Sequence, residues 1–113
     1  MKPIEFIGDA LECLRGFPDD SRKEAGHQLF KLQQGLEADD WKPIRGLGGG
    51  ARGVNEVRIW DAAGTYRVVY VARFPEAVYV LHAFQKKTEK TEKKDLDLIK
   101  DRWKEIAKTK IAR

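Results

Sequence analysis

The sequence predicts an α+β domain: an antiparallel sheet, made of an N-terminal strand and a C-terminal three-stranded meander, packed by two N-terminal helices and one C-terminal helix. Three observations carry this expectation. Between Val54 and Gln85 apolar residues follow a two-residue period broken by short turns, the pattern of consecutive hairpins. Helical periodicity flanks that block, over residues 21–36 and 96–106. The chain has 113 residues, 42% of them hydrophobic and 10% aromatic, which matches one core of the usual size of roughly 100–150 residues and excludes disorder along the whole length. Residues 1–113 are therefore expected to form a single domain.

Taking the elements in order, Ile4, Phe6 and Ile7 open the chain as a short edge strand. A small helix follows around Ala10, Leu11 and Leu14 and should stop near Gly16 and Pro18, with Cys13 a buried, inert thiol. Asp19, Asp20 and Ser21 offer N-cap oxygens, and Ser21 with Glu24 has capping-box spacing. The helix they start carries Ala25, Leu29, Leu32 and Leu36 on one stripe and should end near Asp39, with His27 on the surface.

Trp41 to Arg45 reads as a short strand. The loop from Gly46 to Gly53 imitates a dinucleotide fingerprint, but that mechanism needs a helix N-terminus directly after the glycines, and a strand pattern follows instead. It also lacks the Gly-Lys-Ser/Thr ending of a phosphate-binding loop, so the glycines read as a flexible connection. Strands are expected over 54–60, 65–74 and 77–85, joined by turns around Ala62-Ala63-Gly64 and Pro75-Glu76. Alternation puts Glu56 and Arg58 opposite Val57 and Ile59, and Arg67 with Val69 and Val71 opposite Tyr66, Val68 and Tyr70. The strand around Val80 is apolar on both faces, hence interior. Thr91 can cap a last helix whose stripe is Leu96, Ile99, Trp103 and Ile106.

Charge narrows the function. Formal net charge is +4, yet residues 1–40 carry five Lys/Arg against nine Asp/Glu, while residues 41–113 carry seventeen against nine. The strongly basic later part favours a polyanion such as nucleic acid, or an acidic protein partner. One cysteine excludes an internal disulfide framework and any multi-cysteine zinc site, and suits a reducing cytoplasm. No apolar run approaches the roughly 20 residues needed to span a bilayer, and Lys2, Glu5 and Asp9 stand where a signal peptide needs apolar residues. A cytoplasmic protein without membrane contact is expected.

In the meander the segments Gly53-Val54-Asn55-Glu56-Val57-Arg58, Tyr66-Arg67-Val68-Val69-Tyr70 and Val78-Tyr79-Val80-Leu81-His82-Ala83-Phe84-Gln85-Lys86-Lys87-Thr88, with Lys93-Lys94 beyond, resemble the phage-derived group of the HigB-type branch of the RelE/ParE toxin superfamily. The resemblance covers nearly the whole chain, and His82 to Thr88 is its most specific part. It implies a type II toxin, an mRNA interferase that cleaves messenger RNA in the ribosomal A site, with the ribosome and mRNA as working partners and a helix-turn-helix antitoxin, HigA-like, as the neutralising one.

Metal-free RNA cleavage needs a base for the 2′-hydroxyl, a clamp for the extra negative charge of the phosphorane, and an acid for the leaving 5′-oxygen. Arginine suits the clamp, because its planar fork meets two phosphate oxygens and stays protonated. Arg67 is the first choice and Arg58 the second, with an ion pair to Glu56 or another acid as the structural alternative for Arg58. Lys86 and Lys87 can do proton work if crowding lowers their pKa. Lys90, Lys93 and Lys94 can grip phosphates, and Arg52 joins them as an RNA-binding candidate. His82 has the ordinary pKa for acid/base work, against the alternative of a satisfied core histidine. Tyr66, Tyr70 and Phe84 are either stacking platforms for bases or core. The general base is left open. No metal or organic cofactor is required, since lysines and arginines can supply the charge. A ParE-like gyrase inhibitor and a non-catalytic basic binding module are the competing readings, and Arg67→Ala is expected to relieve toxicity in a chain that still folds.

Overall fold

The computed structural model describes residues 1–48 and 51–111, and the side chains of all of these except Lys110 and Ile111. Gly49 and Gly50 of the glycine loop lie outside the described residues. The elements are β1 (Ile4–Phe6), α1 (Ala10–Arg15), α2 (Asp19–Gln33), β2 (Trp41–Pro43), β3 (Val54–Asp61), β4 (Gly64–Val71), β5 (Val78–Lys86) and α3 (Lys93–Ile111). The fold is α+β, as the period change implied.

The five strands form one sheet in the order β1-β5-β4-β3-β2. It is mixed rather than antiparallel, because β1 runs parallel to β5, with Ile4 opposite Val78 and Phe6 opposite Val80. Local sequence gives no sign of that pairing, which joins residues more than seventy positions apart. The short β2 is also part of the sheet, antiparallel to β3. The β3–β4 hairpin closes on a two-residue loop, and Asp61 Oδ1 accepts the Ala63 N–H at 2.8 Å.

Both sheet faces carry a core. On one, Ala10, Leu14, Ala25, Leu29 and Leu32 of α1 and α2 pack on Val57, Ile59, Tyr66, Val68, Tyr70, Val78 and Val80. On the other, Ile99, Trp103 and Ile106 of α3 pack on Val54, Val69, Val71, Tyr79 and Leu81. The alternation read from β3 and β4 is therefore the alternation of two layers, and the α3 stripe packs as its spacing requires.

Five local expectations are corrected. Helix α2 ends at Gln33, short of Asp39, because Gly35 adopts φ +83° and the Leu36 and Gly35 amides close a Schellman turn on Lys31 and Leu32; Leu36 is left exposed. The same helix starts after Pro18 with no side-chain cap, so the proposed Ser21–Glu24 box does not form; Ser21 is buried and donates to Asp61 Oδ2 at 2.6 Å. At α3 the first helical bonds go to the carbonyl of Glu92, one residue past Thr91. In the glycine loop Leu47 is buried in the α3-side core, so the described start of this connection is anchored rather than free. Strand β4 stops at Val71, three residues before the expected end.

Candidate active site

Helix α3 covers only part of its sheet face. Beyond its first turn the strands present three rows of side chains, set by register. Lys42 lies opposite Glu56, which lies opposite Val69; Arg58 lies opposite Arg67; Thr65 lies opposite Lys86, with Trp60 completing that row on β3. Period two puts Glu56, Arg58 and Trp60 on one face of β3, so a single strand supplies an acid, a cation and an aromatic to the same basin.

Glu56 is the floor of the basin, at 1% exposure. Arg67 Nε, on a residue only 5% exposed, lies 3.2 Å from Glu56 Oε1, and Lys42 Nζ lies 3.6 Å from the same oxygen. The Arg67 approach is close but poorly aligned for a hydrogen bond, so the pair is joined chiefly by charge. The carboxylate is thus held by charge, with both oxygens buried. Above it opens a cavity of about 340 Å³ lined by Lys42, Arg45, Glu56, Lys86, Glu89 and Lys90 among others.

Arg58 is held from the side by Asp40, with Nε donating to Oδ1 at 2.8 Å and Nη2 at 2.6 Å from the same oxygen. Asp40 Oδ2 accepts the Trp60 indole N–H at 2.9 Å. Partial burial pushes the Asp40 carboxyl up, but the Trp60 and Arg58 hydrogen bonds with the nearby guanidinium charges outweigh it and hold the group below its ordinary value. Burial pushes the Lys86 ammonium down from its usual value, and Arg67 adds like-charge repulsion, with Lys42 and Arg58 behind it. Arg67 is itself pushed down by burial and by Arg58 while Glu56 pulls it up; a guanidinium stays protonated under such shifts.

The structure brings Arg58, Arg67 and Lys86 together, with Lys90 on the cavity rim. It does not bring the other sequence candidates into this basin. His82 is 6% exposed, its Nε2 lies 2.8 Å from Asp95 Oδ1 on α3, and it stacks on Phe84 at 5.1 Å, which ties α3 to β5. Tyr66 packs against Phe17 at 4.8 Å on the opposite sheet face. Tyr70 shares that face, where burial raises its hydroxyl to about 12. Lys87 and Arg52 are exposed, and Lys93 and Lys94 are exposed with acidic neighbours, Asp97 at 3.4 Å and Glu92 at 3.7 Å. Sequence reasoning did not assign Glu56, Lys42, Asp40 or Trp60 to the site. The β3 alternation was the available signal for Glu56 and Trp60, while Lys42 and Asp40 enter through the β2–β3 pairing.

One group elsewhere has metal-ligand chemistry: atoms of Asp9, Cys13 and His82 lie within 4.8 Å of one another. Arg102 Nη2 already sits 2.5 Å from Asp9 Oδ1 and supplies the cation there. Burial raises the Cys13 thiol, which opposes the thiolate a metal needs. The cluster therefore reads as a carboxylate–guanidinium pair beside a protonated thiol. No helix among the described residues is long and apolar enough to cross a membrane.

No curated protein matches the chain. Among solved structures, a mutant of the E. coli toxin RelE in the free state superposes with a TM-score of 0.60 over 93% of this chain and 97% of that one, at 16% sequence identity. At that identity the likeness is one of fold. The family model for "Phage derived protein Gp49-like (DUF891)" matches residues 12–104, which include every strand of the sheet except β1. The chain belongs to this Gp49-like family of phage-derived proteins.

Proposed function

We propose that this protein is the toxin of a type II toxin–antitoxin system and acts as a metal-independent endoribonuclease on messenger RNA at the ribosome, in the manner of HigB-type members. The observation that carries the proposal is the clustering of cations on one sheet face: Lys42 and Lys86 line the cavity with the buried carboxylate Glu56, Arg67 lies beneath it against Glu56, and Arg58 is paired with Arg67 across the strands. Cations scattered over unrelated surfaces would have argued against catalysis. The family and the RelE-like fold support the same direction.

The three tasks of the reaction divide among these groups. Glu56, the buried carboxylate at the cavity floor, is the group assigned to take the proton from the 2′-hydroxyl. Arg67, fixed between Glu56 and Arg58, meets the phosphorane oxygens; a preorganised donor of this kind is worth about 10²–10³ in rate. Lys86, whose pKa is lowered, gives its proton to the leaving 5′-oxygen, a role worth about 10²–10⁴. Arg58 and Lys42 add positive potential, and Lys90 meets flanking phosphates. The products are a 2′,3′-cyclic phosphate and a 5′-hydroxyl. A helix-turn-helix, HigA-like antitoxin with an acidic segment would cover the same cations, and the working compartment is the cytoplasm.

Mapping transcript 5′ ends after brief induction tests this. Breaks in phase with codons, confined to translated regions, are expected. Growth arrest with DNA damage signalling and intact transcripts would replace the reading with gyrase inhibition, and no effect at any dose would leave a binding module.

A further inference from the structure

Trp60 is 68% exposed, while most of the other large apolar side chains in the sheet are buried. It is nevertheless fixed: its indole N–H donates to Asp40 Oδ2 at 2.9 Å, and Asp40 is itself held by two contacts from Arg58. The Arg67 guanidinium carbon lies 5.9 Å from the ring centroid, which ties the ring to the clamp of the basin. An indole held rigid in the open beside a cationic basin offers a preformed apolar face that a stacking ligand can cover.

We propose that Trp60 is a stacking platform for an unpaired nucleobase, next to the phosphate held by Arg67 and Lys86. The proposal rests on the RNA reading of the basin and adds a base subsite to it. Charge sets the direction of the chain. On one side of Trp60 lies the cationic basin; on the other is a pocket lined by Asp20, Glu24, Asp39 and Asp61, in which Arg58, already engaged by Asp40, is the one cation among the lining residues. A polyanionic backbone is drawn to the first side and repelled by the second. Only the neutral base can extend over the indole, whose π-face accepts any base without hydrogen-bond readout.

The test uses the whole protein and a single-stranded 2′-O-methyl RNA oligonucleotide, which lacks the nucleophile and cannot be cut by this route. Binding should quench tryptophan fluorescence in the native protein. The quenching should vanish in Trp60→Ala, whose affinity should fall about 5- to 150-fold, while Trp60→Phe should stay within a few-fold of native affinity. Unchanged fluorescence on binding, equal affinity of Trp60→Ala, or quenching by a protein partner but not by RNA would each overturn the proposal. Transcript cleavage in a translating extract is read separately. Native activity with indifferent Trp60 variants removes the base subsite and keeps the endonuclease; absence of native cleavage removes the endonuclease, and the quenching data then judge the indole alone.

Discussion

Replacing Arg67 with Ala should strongly destabilise the protein as well as disarm it. Arg67 is 5% exposed and Glu56 is 1% exposed, with 3.2 Å between Nε and Oε1. Deleting the guanidinium leaves a buried carboxylate whose remaining cation, Lys42, is 3.6 Å away and more than one-third exposed. Removing one member of a buried ion pair costs about 3–5 kcal/mol, against a net stability of about 5–15 kcal/mol for a domain. The melting temperature should drop by on the order of 10–20 °C. The sequence alone leads one to expect a folded Arg67→Ala chain; the buried pair adds that this chain should fold with a much smaller margin of stability. Urea denaturation of four proteins decides it: native, Arg67→Ala, Glu56→Gln and the double variant. In the Glu56→Gln background the cost of Arg67→Ala should shrink by roughly 1–3 kcal/mol, because no charge is then stranded. An equal cost in both backgrounds would refute the reasoning. Loss of toxicity in Arg67→Ala is thus ambiguous by itself, and Arg67→Lys, which keeps the charge but loses the fork, is the better catalytic probe.

Further outcomes follow from the same geometry. Lys86→Met should lower cleavage by about 10²–10⁴; because the folded pKa lies below the ordinary 10.5, protonated Lys86 disfavours the fold at neutral pH and stability should rise with pH from its folded value to 10.5. Activity should fall on the alkaline side with a midpoint below 10.5, and Arg58→Ala, by removing a repelling charge, should move that midpoint up in a pH–rate profile. Asp40, whose pKa is held below 3.8, contributes stability that is present above that value and lost as pH falls through its lower folded one; acid titration of Asp40→Asn should lack that loss. His82→Gln should cost about 1–3 kcal/mol in thermal unfolding yet keep its turnover per folded molecule, whereas a catalytic histidine would lose turnover. Chelation with EDTA should leave cleavage unchanged.

Much of this fold is local chemistry and hence legible. The 54–86 meander and the Leu96/Ile99/Trp103/Ile106 stripe need only periodicity, and the end of α2 was encoded in Gly35, a left-handed cap overlooked in favour of the apolar Leu36. The parallel pairing of β1 was not legible, because it depends on contacts between distant segments. The site divides in the same way. Arg58, Arg67 and Lys86 can be singled out from residue type and strand position, but the partners that hold them come from elsewhere in the chain: Glu56 of β3 to Arg67, and Asp40, just before β2, to Arg58. His82 was singled out for its intrinsic pKa, and only the packing of α3 shows Asp95 engaging it.

The chemistry of the cut ends tests the catalytic basin most directly. Transcripts recovered after induction of the native protein, sequenced from their 5′ ends with and without prior kinase treatment, should yield cleavage sites that can be ligated only after phosphorylation, the mark of a 5′-hydroxyl. The same sites should be depleted by Glu56→Gln in a protein that remains folded. Ends that ligate without the kinase, or cleavage undiminished in folded Glu56→Gln, would contradict a 2′-hydroxyl attack driven by this carboxylate and its cations.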